Sequence, residues 1–373
     1  MLMASAATAV AGCPSIEAFG GSGDGSTDNL AAWNSAVSSF GSGDICIEFG
    51  AGTYLFSSTA AATPAKNISI IGTGKSTTHL LWNANVFGMA LNTGNQMTVT
   101  VSGIDFISGS LNTHNALSVN SSDCTGSKQS SNFRDLSFEG SGSYPFTNYW
   151  AYGLVLNTLS FVNISNVDFW GDSANHMIGL VYESANAPSC YALILNVDKA
   201  QFIGAAIGFV YGTYAQGVTI TQSNFTNGLV GISLPSSSIS PAQLVVSDSQ
   251  FNTAHDQISI QGILMGGQFH HNTFTVPPTS YTGLHIYAGF WYVVDGNNFL
   301  NGSTKGLTGV QVDSNNAGNA GVITGNTFSN LSYGVSLSAG SDHWNVQSNM
   351  YASTVGTKTV NFGTNNILGG GSP

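Results

Sequence analysis

Charge is what this sequence has least of. Only 7% of its 373 residues are Asp, Glu, Lys or Arg, against about 25% in an ordinary soluble domain. Positive charge is scarcer still: Lys and Arg together number 7, Arg134 is the lone arginine, and the net charge is -11. That balance removes the basic footprint a nucleic-acid partner needs, so no DNA or RNA partner is expected. No apolar run approaches about 18 residues, so no membrane-spanning helix is expected. The four cysteines, Cys13, Cys46, Cys124 and Cys190, lack CxxC or Cys/His ligand spacing and point to no zinc site. Two readings of them remain: buried free thiols, or a disulfide formed in an oxidising compartment, with Cys13–Cys46 the first pair to test. Met1 to Gly12 is Ala-rich but has neither a basic start nor a long apolar centre. Val10-Ala11-Gly12-Cys13 has the form of a lipoprotein cleavage box without its flanks. No metal or cofactor is expected.

What is present is a repeat. The segments VSGIDF, FRDLSF, ISNVDF, DKAQF, TQSNF, SDSQF, HHNTF, DGNNF, TGNTF and QSNMY end on Phe106, Phe138, Phe169, Phe202, Phe225, Phe251, Phe274, Phe299, Phe328 and Tyr351. Successive aromatics are 32, 31, 33, 23, 26, 23, 25, 29 and 23 residues apart, a coil of about 23 with insertions in some turns. Between them falls a second phrase, Gly-apolar-x-apolar-x, as in GLVLN (153–157), GISLP (231–235) and GLHIY (283–287). Its second and fourth positions are apolar or tyrosine in all ten copies, so it reads as a strand with one buried face. Stacking one such strand per coil buries a core that no coil could bury alone. Late coils also carry Asn272, Asn297, Asn326 and Asn349 two residues before the aromatic, a column expected to form an amide ladder. The expectation is an all-β, single-stranded right-handed parallel β-helix of about ten coils with a short N-terminal capping helix. Residues 1–65 form the capping segment and 66–373 the β-helix, one structural domain overall.

The non-repeating start carries Phe19-Gly20, then Gly23-Asp24-Gly25-Ser26-Thr27-Asp28-Asn29, Ala32-Trp33 and Ile47-Glu48-Phe49-Gly50-Ala51-Gly52-Thr53-Tyr54. This resembles the first segment of the pectate-lyase-like superfamily, which includes phage tailspike depolymerases and polygalacturonase-related glycosidases. The resemblance implies the fold just described, a polysaccharide substrate, a possible homotrimer, and an extracellular or virion-surface setting. Asp24 and Asp28 read as structural, with Asp28 as the N-cap of a helix over Leu30 to Val37. The family's Gly-His-Gly with paired aspartates is absent, as is a dense Asp cluster with Lys and Arg.

The repeat frame assigns outward columns. In the fifth-position column Glu183 and Asp313 interrupt a run of Asn, Gly, Gln and Ser; on the other strand Asp198, His270 and Asp295 do the same. Two groups follow: Glu183 with Asp198, Asp172 and His176, and Gln261, His270, His285, Tyr287, Trp291, Asp295 and Asp313 over three coils. Glycoside hydrolysis needs an acid and a second carboxylate, so Glu183, Asp295 and Asp313 are the catalytic candidates. The remaining members of the two groups are substrate-binding candidates. A polysaccharide lyase or epimerase would instead use Tyr287 with His285 or His270 as base, and a non-catalytic adhesin would use the flank for binding alone. Asp105 and Asp168, just before recurrent aromatics, read as turn residues, Tyr292 reads as core, and His270 and His271 as a surface pair.

Overall fold

The chain was analysed as a computed structural model that describes residues 12–63, 66–94, 96–121, 130–172, 174–184, 190–237, 242–278, 280–302, 304–313 and 320–369. The residues 1–11 of the targeting question, and Cys124, lie outside this set.

Twelve parallel strands, one per turn, form one wall, each bonded to its neighbour in the chain from Ala60–Ala62 to Thr357–Asn361. A second sheet of 24 strands forms the remaining walls. The result is a right-handed parallel β-helix of about twelve turns. The turns beyond the ten repeats are the end ones, whose wall strands read AAA and TKTVN and so lack the apolar phrase. The first of these turns lies within residues 45–62, in register with the next: Ile45 faces Ile68, Gly52 faces Thr78 and Ala60 faces Met89.

All twenty inward positions of the ten phrases are at most 1% exposed. Along the core, rings stack from Phe56 and Trp82 through the ten recurrent aromatics to Tyr351, for example 4.5 Å between Phe202 and Phe225 and 5.1 Å between Phe138 and Phe169. Each stacked pair contributes about 0.5–1.5 kcal/mol beyond the area it buries. The amide ladder is present. Asn297 donates its backbone N–H at 2.9 Å and its side-chain amide at 3.0 Å to Asn326 Oδ1, and its amide also reaches Phe269 O at 2.8 Å. In the coils above, Ser249 and Ser223 do the same work with hydroxyls, accepting from Ser223 N–H and Ala200 N–H.

Three residues before every recurrent aromatic the backbone turns left-handed. Gly103, Asp135, Asn166, Lys199, Gln222, Asp248, His271, Gly296, Gly325 and Ser348 have φ between 49° and 70°. One left-handed residue per turn bends the large sheet into two faces, and small polar residues or glycine tolerate that conformation best. Asp105 and Asp168 come after this bend, inside the strands Val99–Ser108 and Val162–Trp170, so they are strand residues rather than turn residues.

The top coil is covered by the helix Leu30–Ser39, which buries Ala32, Trp33 and Ala36, with Trp33 Nε1 donating to Ala61 O at 2.9 Å. The N-cap position falls on Asn29 rather than Asp28. Asp28 still accepts from Leu30 N–H at 3.1 Å, while also accepting from Ser57 N–H, so it ties the helix start to the first coil. Cys13 and Cys46 form a disulfide, and Cys190 is disulfide-bonded as well, which overturns the free-thiol reading. Among the described residues no helix is long and apolar enough to cross a membrane.

Candidate functional site

The three catalytic candidates fall apart in space. Glu183 and Asp313 share one outward column of the twelve-stranded wall but stand five coils apart, about 24 Å at the ordinary strand spacing. Asp295 is on the other sheet. Glu183 packs against Gly212, where any Cβ would meet its side chain, and burial raises its carboxyl above the usual range. Asp198 accepts from Thr221 Oγ1 at 2.9 Å on the large sheet, away from Glu183. Asp172 is buried and holds His176 through both its backbone N–H, at 2.7 Å, and Nδ1, at 2.6 Å.

The second group divides in two. On the twelve-stranded wall His285 lies between carboxylates, with Nδ1 3.0 Å from Asp256 Oδ2 and Nε2 2.7 Å from Asp313 Oδ2. Both neighbours are carboxyl oxygens, an arrangement that favours a proton on each ring nitrogen. Burial opposes that charge, but the two carboxylates outweigh it and hold the imidazole above its usual range. Asp313, bonded to His285, Ser338 and Gln311, is drawn down to about 2. Tyr287 stacks on His285 with ring centroids 3.8 Å apart, and Gln261 is exposed one coil above. On the large sheet His270 bonds Asp295 through Nδ1 and Gln268 Oε1 through Nε2 at 3.3 Å. Trp291, 69% exposed, lies on that sheet's edge, while Tyr292 is buried as expected.

The best-formed acid–base constellation was not among the sequence candidates. On the face beyond the left-handed bend, His79, Asp105, Ser137 and Asp168 stack in one column over four coils. His79 Nδ1 lies 3.0 Å from Asp105 Oδ2, and the Asp105 and Glu139 carboxyls are near enough to perturb one another. Asp105 is 2% exposed and its Oδ1 has no hydrogen-bond partner, so a proton on the neighbouring Glu139 is the donor that would satisfy it. Burial and the nearby Asp105 push the half-buried Glu139 carboxyl up to about 7. Burial likewise raises Asp105, and the Asp105 bond raises His79.

Two insertions complete this flank. The segment Thr73–Thr77 crosses the upper coils and places Lys75 Nζ 2.6 Å from Asp168 Oδ2. The segment after Gly140 brings Tyr144, 39% exposed, edge-on to Trp170 at 5.4 Å. Trp170 is one coil below Glu139, because Phe138 faces Phe169. Glu139 and Asp168 are therefore diagonal neighbours on one outward face, with Cα atoms about 8 Å apart from a strand spacing of ~4.8 Å and a two-residue rise of ~6.6 Å. Asp168 could have been flagged as an outward charge in the frame. Glu139 could not, because the insertions that enclose it follow no repeat.

No curated protein matches the chain significantly in sequence. Among solved structures it is similar to tailspike protein 3 of bacteriophage CBA120, at 16% identity and a TM-score of 0.55 over 97% of this chain and 62% of that one. It is also similar to the Dettilon tailspike protein, at 10% identity and a TM-score of 0.62, covering 93% and 66%. A third is the N-terminal fragment of bacteriophage phi29 gene product 12, at 12% identity and a TM-score of 0.60, covering 93% and 70%. At such identities the likeness is one of fold, and the chain spans under two thirds of tailspike protein 3. A family model described as a right-handed beta helix region matches residues 205–370. The model described as rhamnogalacturonase A/epimerase, pectate lyase-like, matches residues 14–256, well over half of the sequence, and the chain belongs to that family.

Proposed function

We propose that this protein binds a polysaccharide and hydrolyses it on the flank that carries Glu139. The observation behind this reading is a half-buried glutamic acid held near pH 7, diagonal to Asp168 with Cα atoms about 8 Å apart and beside an aromatic pair. A carboxyl that keeps its proton near neutrality can give it to a glycosidic oxygen. Asp168, positioned by Lys75, then takes a proton from the attacking water. Trp170 and Tyr144 present apolar ring faces to the sugar, and Asp105 keeps Glu139 in its protonated form. The family's name, which joins a rhamnogalacturonase to an epimerase, supports a carbohydrate substrate. The disulfides fit an extracellular or virion-surface setting, and the homotrimer implied by resemblance is checked by sedimentation.

A second reading, elimination or epimerisation of a uronate, is favoured by Lys75 and His79, which would meet a substrate carboxylate at this same flank. The test is purified protein on neutral and anionic polysaccharides, with products read as new reducing ends and as ultraviolet absorbance. Reducing ends alone support hydrolysis, and an absorbing unsaturated sugar supports elimination. Neither signal on any polymer would leave an epimerase or a binding protein, which proton NMR of the recovered polymer separates by a changed or unchanged sugar configuration. If loss of activity follows Asp295→Ala, Asp313→Ala or Glu183→Ala rather than Glu139→Gln, the chemistry belongs to those carboxylates.

A further inference from the structure

On the other face of the large sheet, before the left-handed bend, a groove runs along the molecule. One stretch, of about 530 Å3, is lined by Ile194, Gln216, Gln243, Met265, Gln268 and Trp291. A second, of about 300 Å3, continues from Trp291 past Val293 and Val322 to His343 and Asn345. Trp291 lines both, and the strands beneath occupy eight successive coils, from Val162–Trp170 to Trp344–Gln347. That is a track of about 34 Å.

Three properties distinguish the track. Its rim is a second left-handed column, in which Ile194 has φ 61° and Trp291 φ 59°. Branched and bulky residues are genuine outliers there, and such outliers persist mainly where function holds them. These side chains are also not buried: Ile194 is 41% exposed, Met265 43% and Trp291 69%. Finally, among the described residues no Lys, Arg, Asp or Glu lines either stretch, while Gln216, Gln243 and Gln268 supply amides between the apolar surfaces.

We propose that this track is a second, non-catalytic binding site for an extended uncharged glycan. Sugar rings have an apolar face and a hydroxyl rim, which suits an indole flanked by amides that both donate and accept. The absence of charge along the track disfavours a uronate polymer. The site goes beyond the Glu139 reading and does not depend on it, because it lies on another face and is read by binding alone.

Trp291 can be followed directly. Four of the six tryptophans, Trp33, Trp82, Trp150 and Trp344, are at most 1% exposed, and Trp170 is half-buried. Acrylamide quenching of the full chain therefore reports mainly on Trp291. Soluble galactomannan, xyloglucan and dextran are the neutral probes and polygalacturonate the anionic one, each also cast into native gels for affinity electrophoresis. At least one neutral polymer is expected to shield the fluorescence and retard migration, and polygalacturonate to do neither. Trp291→Gly, which suits the left-handed backbone, should weaken that binding at least tenfold, and Gln243→Ala should weaken it less. Retention of full polymer affinity by Trp291→Gly, or binding of polygalacturonate alone, would overturn the proposal. So would a smaller sedimentation coefficient of Trp291→Gly, which would make the track an interface between copies of the chain.

Discussion

The flank around Glu139 and the track through Trp291 are built on the same coil and have opposite characters. The first carries segments outside the repeat, Thr73–Thr77 and the one after Gly140, which bring Lys75 and Tyr144 over the sheet. There Asp105 and Glu139 are perturbed by burial and by one another, and Asp168 is paired with Lys75. The second lies mostly on coils of 23 to 29 residues, where nothing covers the sheet, and it is apolar, uncharged and open. The bare coil makes a surface, and the insertions make the acid–base chemistry.

The largest effect that could break this comparison is on turnover. Glu139→Gln should lower hydrolysis by about 10²–10⁴-fold, the range for a positioned acid, with the melting temperature held or raised because one acid leaves a crowded pair. Full activity with any polymer the wild type cleaves would remove Glu139 from the reaction. Next comes the ladder of the later coils. Asn326→Ala deprives Asn297 of the acceptor for two N–H donors and leaves Val294 O short of one. Unmet buried groups cost about 1–3 kcal/mol each, so denaturant unfolding should show a loss of about 3 kcal/mol. Ser223→Ala, at the equivalent place in an earlier coil, should lose about 1 kcal/mol.

A smaller effect distinguishes the two regions by pH. Glu139, held near 7 instead of 4.5, keeps in the folded chain a proton the unfolded chain has shed between those values. Its contribution is therefore full at the acid end and is lost as pH rises through 7. The raised His79 adds in the same direction. Discounted for partial exposure, the fall from pH 5 to pH 8 should be about 1–2 kcal/mol. It should shrink in Glu139→Gln and persist in Trp291→Gly, as read by urea unfolding at several pH values. The smallest expected effect is at the bend: Gln222→Gly relieves a left-handed glutamine at φ 49° and should change stability by no more than about 1 kcal/mol.

Most of the fold was legible because the buried positions obey a period of two that any strand must obey, and the amide ladder because identical residues recur at one offset. The end coils escaped because Ala60–Ala62 and Thr357–Asn361 contribute hydrogen bonds with little of the apolar pattern. The left-handed column escaped for another reason. Gly103, Asp135, Lys199, Gln222 and His271 share no polarity or size, only a backbone angle. Missing that bend put Asp105 and Asp168 in turns. Of the candidate residues, the pairing of Tyr287 with His285 was readable from one phrase. The meeting of Asp105 with Glu139 was not, since it depends on neighbours 34 residues apart in sequence being brought side by side and then enclosed by segments outside the repeat.

The file of stacked rings from Phe56 to Tyr351 has a consequence for how the molecule can change. Along the file each ring stacks on the ring above and the ring below, so a disturbance at Phe251 reaches Phe225 and Phe274 first and fades beyond them. Paired substitutions should couple within one turn and add independently across several. Length is thus close to a free variable: a turn can be gained, lost or enlarged by a loop without retuning distant ones, so new chemistry can be tried on one turn while the others stay as they are.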